Sequence, residues 1–165
     1  MMGSGKTSVG RRLAEERGWD FFDSDGQIEA LTGRTVGEIW RTDGEPAFRR
    51  LEAQVLADAM ASTTPRVIAA AGGTVLDPDN RRLIGGHHPV VWLRARPETL
   101  VDRVATGTHR PLLDEDPAGT LKRLDAIRRP LYEEVADVTV DVDDATADQV
   151  AAHIDAALDG DHHRG

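Results

Sequence analysis

The sequence predicts an α/β fold, with a parallel sheet covered by helices on both faces. Short apolar segments typical of strands alternate along the chain with longer segments whose apolar residues recur at helical spacing. Four strands are expected, at residues 19–22, 67–71, 89–93 and 138–142. At 165 residues the chain fits one domain with one sizeable core, so residues 1–165 are expected to form a single domain.

Composition narrows the possible classes of function. Apolar residues make up 39% of the chain and charged residues 30%, as in soluble globular proteins, and no apolar run approaches the length of a membrane span. There is no cysteine, which excludes disulfides and thiolate metal sites. The net charge of −9 argues against nucleic acid or anionic lipid as a partner. We expect a cytoplasmic monomer that handles a small molecule.

The run Gly3-Ser4-Gly5-Lys6-Thr7 opens the first helical segment, which extends to about residue 17. Glycines allow backbone N–H groups to approach phosphate oxygens, a lysine reaches the outer phosphates, and a threonine hydroxyl can ligate Mg²⁺. The alternative interpretation is a plain flexible turn, because such turns are also rich in glycine and serine. The position at the start of a helix favours phosphate binding over that alternative.

Two carboxylates follow the first predicted strand, in the segment Asp23-Ser24-Asp25. Ligands of open α/β sheets bind at the carboxyl ends of the strands, and alternate residues of an extended segment point the same way. Asp23 and Asp25 are therefore candidates for metal or substrate binding. The alternative is a solvated acidic turn.

Residues 24–61 contain three helical segments between two strands, which is more than a crossover requires. The first ends at Gly33, the second begins with the capping-box pattern of Thr35 to Glu38, and the third runs from about residue 45 to 61. Such an insertion commonly forms a mobile subdomain over a site. The third segment carries Arg49, Arg50 and Glu52, for which a solvated charged face is the alternative interpretation.

Later segments supply further candidates. Gly72-Gly73 closes the strand at 67–71 and would allow close approach to the backbone, although a structural turn explains two glycines equally well. No acidic residue ends that strand, so positioning of Mg²⁺ would fall to Asp23. Residues 106–117 are expected to be a lid loop that brings Arg110 to the transferring group, the alternative being a connecting loop.

The remaining helices follow from apolar spacing and from Pro and Gly positions. Pro130 is expected to interrupt the helix at 118–134, and residues 159–165, with two adjacent histidines, are expected to form a disordered tail. The other predicted helices lie at 77–84, 97–105 and 146–158.

These motifs together resemble the shikimate kinase family, in order from Met2 to about Leu158. The resemblance rests on six linked stretches: residues 3–14; Asp23-Ser24-Asp25 with Ile28-Glu29, Thr32-Gly33 and Ile39-Trp40; Gly44-Glu45 with Phe48-Arg49 and Glu52; Gly72-Gly73; Arg110-Pro111-Leu112-Leu113; and Arg128 before Pro130-Leu131-Tyr132. It implies transfer of the γ-phosphate of ATP to the 3-hydroxyl of shikimate, in the chorismate pathway of aromatic amino-acid biosynthesis.

The resemblance also implies roles for individual residues. Lys6, Asp25 and Arg110 would be catalytic, Thr7 would ligate Mg²⁺, and Asp23 would hold the metal through water. Asp25 would bind the shikimate hydroxyls and accept the reacting proton. Arg49, Arg128 and the backbone at Gly72 would hold the shikimate carboxylate, with Glu52 orienting the arginines. The ATP-binding set would be Gly3, Ser4, Gly5, Lys6, Thr7, Ser8, Arg103 near the adenine, and Arg110.

The family fold implies a three-layer phosphate-loop kinase with sheet order 2-3-1-4-5, a small helical shikimate-binding region at 24–61 and a lid at 106–117. The first strand of that order is missing from this chain. We expect a misplaced start codon or a shortened chain, lacking roughly ten apolar residues and the first loop glycine. Ala71 stands where the family has the first of three glycines. Competing hypotheses are a gluconate or nucleotide kinase, and a non-catalytic nucleotide-binding domain.

Overall fold

The structure is a computed structural model that describes residues 1–87, 89–105 and 116–161. In these ranges four strands alternate with helices: β1 (Asp20–Asp23), β2 (Arg66–Ala69), β3 (Val91–Arg94) and β4 (Val138–Asp141). The helices are α1 (Lys6–Arg17), α2 (Ser24–Thr32), α3 (Val36–Asp43), α4 (Glu45–Met60), α5 (Pro78–Gly85), α6 (Pro97–Ala105), α7 (Pro117–Val135) and α8 (Ala147–Asp161), with a 3₁₀ turn at Thr74–Leu76. The predicted α/β alternation is confirmed.

The strands form two parallel pairs rather than one continuous sheet. β1 pairs with β2, with Asp23 opposite Ala69 at the carboxyl end, and β3 pairs with β4. A cavity of about 470 Å³ separates β2 from β3. It is lined by residues of both strands and by apolar side chains of α1, α4 and α8, among them Val9, Leu56 and Ile154.

This cavity lies where the expected order 2-3-1-4-5 places the first strand. The observed order is β1-β2, the cavity, and then β3-β4, which is the expected order with its middle strand left out. Residues 1–5 form a turn at the edge of the cavity, and no strand of the described residues occupies it.

Two apolar cores stabilise the molecule. The larger one joins α1, α6, α7 and α8 to β3 and β4, and its fully buried members include Leu100, Leu121 and Ala151. A smaller core within α2, α3 and α4 contains Ile28, Ile39, Phe48 and Val55. The helical region at 24–61 therefore has a core of its own, beside the carboxyl end of β1.

Close packing of α1 on β1 depends on a glycine. A Cβ added at Gly10 would lie 2.7 Å from Cε2 of Phe21, which is closer than side chains approach in folded proteins. The contact fixes the height of α1 above the strand, and with it the position of the loop that precedes the helix.

The expected interruption at Pro130 is wrong, because α7 continues through it to Val135. Proline removes one helical hydrogen bond, but tertiary packing overrides this local cost. Arg128 and Tyr132 are buried on either side of Pro130, and Arg129 donates to Asp125 at 2.9 and 3.0 Å, one turn earlier.

Two other expectations concern residues 106–117 and residues 159–165. The expected lid at 106–117 lies outside the described residues except for Asp116, which caps α7, and Pro117, which begins it. α8 extends to Asp161, so residues 159–161 of the expected tail are helical, and residues 162–165 lie outside the described residues. No helix in the described ranges is both long enough and apolar enough to cross a membrane.

Candidate active site

The phosphate loop is built on two glycines with left-handed backbone. Gly3 has φ 76° and Gly5 has φ 89°, a conformation that other residues adopt only at a cost. Gly5 caps α1 without a side-chain hydrogen bond, so the first amides of the helix face the loop. Ser4 Oγ and Lys6 Nζ both donate to the Met1 carbonyl oxygen, each at 2.8 Å, and close the loop on itself.

Thr7 and Asp23 meet next to this loop. Thr7 Oγ1 donates to Asp23 Oδ2 at 2.8 Å. Asp23 Oδ1 accepts from the amides of Asp25 and Gly26 and so caps α2. A hydroxyl and a carboxylate oxygen side by side at a phosphate loop are hard oxygen ligands of the kind that Mg²⁺ prefers. These two oxygens are therefore candidate metal ligands. Among the described residues no group of three or more His, Cys, Asp or Glu side chains is arranged to hold a metal.

Arg49 and Glu52 form a partly buried ion pair on α4. Arg49 Nη1 donates to both Glu52 oxygens, at 3.1 and 2.9 Å, and Glu45 accepts from the same guanidinium. Its Cζ lies 5.3 Å from the Trp40 ring centre and 5.5 Å from that of Phe48, within cation–π distance. These contacts hold the guanidinium in one place.

Glu52 is 1% exposed. Burial raises the pKa of its carboxyl, the Arg49 charge and hydrogen bond oppose the rise, and the Asp25 charge adds to it. The charge of Arg128 acts on Glu52 in the same direction as that of Arg49, although only Arg49 is directly bonded to it in the described structure. Glu52 thus lies within the electrostatic reach of both arginines and of Asp25.

Gly72 and Gly73 form a floor on which both arginines lie. A Cβ at Gly73 would overlap the Arg49 guanidinium, and a Cβ at Gly72 would lie 3.2 Å from Arg128 Nη1 and 3.3 Å from Met1 Cα. Arg128 is 4% exposed, and its buried Nε has no hydrogen-bond partner in the described part of the chain. A pair of guanidinium groups above backbone amides is suited to holding a carboxylate.

The predicted residues fall into two adjoining groups. The phosphate-loop residues, Thr7 and Asp23 lie together at the start of α1, and Arg49, Gly72 and Arg128 lie together at the glycine floor. Ser8 lies in the first turn of α1. Arg103 donates to the Gly3 carbonyl oxygen at 3.4 Å and to that of Val142 at 2.5 Å, which places it behind the loop. Arg110 lies outside the described residues, and its position is not tested.

Two site residues were missed by the sequence analysis. The Tyr132 hydroxyl donates to the Gly72 carbonyl oxygen at 2.6 Å, and the Ser24 hydroxyl contacts the backbone at Ala69 and Ala71. For Tyr132 the sequence does offer a clue, because Arg128 and Tyr132 are four residues apart and so lie on the same face of a helix. Nothing in the sequence pairs Ser24 with a strand more than forty residues away.

Alternating parallel strands and helices, with a Gly-Lys-Thr loop opening α1, define the class of this protein as a phosphate-loop kinase. The family model described as "Shikimate kinase" matches residues 2–159. The chain belongs to the shikimate kinase family, which separates it from the gluconate and nucleotide kinases that the loop alone left open.

Individual relatives agree along nearly the whole chain. A shikimate kinase from Symbiobacterium thermophilum is 46% identical, over 100% of this chain and 96% of that protein. One from Chromobacterium violaceum is 40% identical, over 99% and 89% respectively. The solved structure of the Acinetobacter baumannii shikimate kinase in complex with shikimate matches with a TM-score of 0.93 and 37% identity, over 97% of this chain and 89% of that one.

Proposed function

We propose that this protein is a shikimate kinase, which transfers the γ-phosphate of ATP to the 3-hydroxyl of shikimate. The observation that carries the proposal is the placement of Arg49 and Arg128 on the Gly72-Gly73 backbone. Two cations at one glycine floor match a substrate with one carboxylate, and the buried Glu52, which is bonded to Arg49, offsets only part of their charge.

On the nucleotide side, the amides of the phosphate loop and Lys6 would hold the phosphates of ATP. Thr7 and Asp23 would hold Mg²⁺, which when bound neutralises charge on the phosphates. The Thr7–Asp23 hydrogen bond of 2.8 Å already brings the two ligand oxygens together. Arg103, which bonds the back of the loop, would support it near the adenine.

Asp25 would bind the shikimate hydroxyls from the first turn of α2. Phosphoryl transfer passes through a loose transition state, so alignment and charge neutralisation matter more than early removal of the proton. Asp25 therefore orients the 3-hydroxyl and accepts its proton as the transfer proceeds, while Lys6 stabilises charge on the transferring group. We assign the same electrostatic role to Arg110, which lies outside the described residues, on the strength of the family resemblance. We further propose that the enzyme is a cytoplasmic monomer.

A coupled assay of ADP release tests the proposal. The protein is offered ATP and Mg²⁺ with shikimate, gluconate or a nucleoside monophosphate as acceptor. We expect turnover with shikimate alone. Turnover with another acceptor and not with shikimate would overturn the proposed substrate.

A second candidate is a nucleotide-binding domain without catalysis. The cavity between β2 and β3 favours it, because Lys6 of the phosphate loop lines this cavity and no described strand fills it. The assay is therefore run in parallel on a form of the chain extended upstream by an apolar strand. Turnover by the extended form alone would mean that the site residues are sound and that the loop needs the strand.

A further inference from the structure

The floor of the substrate pocket lies beyond the last ladder contact between β1 and β2. That ladder ends at the pair Asp23 and Ala69, and residues 70–73 continue without a neighbouring strand. Their peptide groups must nevertheless be held in place if Gly72 is to present its backbone to a ligand. Two buried side-chain hydroxyls provide that support.

The first hydroxyl belongs to Ser24, which is 1% exposed. Its Oγ donates to the Ala69 carbonyl oxygen at 3.3 Å and accepts from the Ala71 amide at 3.0 Å. One side chain therefore continues the link between the two strands past the end of the ladder. Because Ser24 stands between Asp23 and Asp25, the floor is tied to the segment that carries both carboxylates.

The second hydroxyl belongs to Tyr132, one helical turn after Arg128 on α7. It donates to the Gly72 carbonyl oxygen at 2.6 Å, and its ring packs on Trp92 with ring centres 5.6 Å apart. Burial raises the pKa of Tyr132 to about 12, against the opposing effect of Arg128. The phenol therefore remains a donor over the whole neutral range.

The consecutive peptide groups of the floor are each anchored at one atom. Ser24 holds the amide of Ala71, the Thr74 amide donates to the Ala71 carbonyl oxygen at 3.1 Å, and Tyr132 holds the Gly72 carbonyl oxygen. Within the described residues, the amides of Gly72 and Gly73 donate to no acceptor. The anchors thus fix the direction of two amides that are available to an anion.

We propose that Ser24 and Tyr132 are positioning residues, which set the Gly72 and Gly73 amides against Arg128 for binding of the substrate carboxylate. This inference rests on the proposed function, since it assumes that the floor binds shikimate. Neither side chain is assigned a contact with the reacting atoms. Their loss should therefore weaken binding of shikimate far more than binding of ATP.

The test uses Tyr132→Phe, which keeps the ring and removes only the hydroxyl, and Ser24→Ala. We expect Tyr132→Phe, which loses one buried hydrogen bond, to raise the KM and the Kd for shikimate about tenfold, and Ser24→Ala, which loses two, to raise them at least as much. The KM for ATP should change less than twofold in both. Shikimate binding is followed by calorimetry as well as by turnover, so the result does not depend on activity.

Ser62→Ala is the matched control. Ser62 Oγ accepts from the Thr64 amide and from Arg66, at the opposite end of β2. Its removal also deletes one serine hydroxyl at an end of that strand, and it should leave both constants unchanged. Equal shikimate constants in all variants, or parallel weakening of ATP and shikimate, would overturn the positioning role. No shikimate binding by the unmodified protein would instead overturn the proposed function, and this inference with it.

Discussion

Replacing Gly73 by alanine tests whether the glycine floor seats Arg49. Gly73 has φ −85° and ψ −10°, so alanine adopts this backbone without strain. The added Cβ would lie 2.5 Å from Cζ and 2.6 Å from Nη2 of Arg49. The arginine must therefore swing away, and it loses its hydrogen bonds to Glu52 as it moves.

The size of the effect follows from those contacts. A hydrogen bond to a charged group contributes about 1.5–3 kcal/mol, so losing the Arg49 contact to a bound carboxylate should raise the KM for shikimate about 10- to 150-fold. The stability change is smaller. Weakening of the Arg49–Glu52 pair is offset by the about 0.4–1 kcal/mol that Gly→Ala contributes through the unfolded chain, which leaves a loss of about 0.5–2.5 kcal/mol.

Steady-state kinetics at saturating ATP measure the first quantity, and urea unfolding measures the second. Gly85→Ala is the matched control, because Gly85 is the last residue of α5 and its Cβ would meet open space. It should leave the KM unchanged and stabilise the protein by up to about 1 kcal/mol. A KM for shikimate within twofold of wild type in Gly73→Ala would refute the assignment of Arg49 to the carboxylate.

Three further predictions follow from the same geometry. Asp25→Asn should lose most turnover while calorimetry still detects ATP binding; retained turnover would contradict the role of Asp25. Burial raises the pKa of Glu52, so the contribution of its carboxyl group to the free energy of unfolding is fully present below pH 4.5 and is lost as the pH rises through the raised value. The free energy of unfolding of Glu52→Gln, measured in urea, should therefore depend less on pH than that of the wild type. Identical pH profiles would count against this. Gly10→Ala should cost about 1–3 kcal/mol of unfolding free energy, because the Cβ forces α1 away from Phe21, and an unchanged urea midpoint would show that the packing adapts.

Local chemistry explains which parts of this structure could be predicted from sequence. The four strands were predicted to within two residues, and the end of α2 at Gly33 and the capping box of α3, which depend on neighbouring residues, were also predicted. The capping of α2 by Asp23 was not predicted. The break expected at Pro130 was wrong because packing on both sides of the proline outweighs one lost hydrogen bond. The bond from Tyr132 to Gly72 joins residues sixty positions apart, and only the tertiary fold brings them together.

The two halves of the site depend on one short segment, residues 23–25, at the junction of β1 and α2. Asp23 accepts from Thr7 and so connects the segment to the phosphate loop. Ser24 points into the protein and holds the backbone before the glycine floor. Asp25, whose amide is fixed by Asp23, lies within the electrostatic reach of Glu52. A shift of this segment would therefore move the proposed metal ligand, the glycine floor and Asp25 together, so under the proposed function the β1–β2 ladder helps to keep the two substrates aligned.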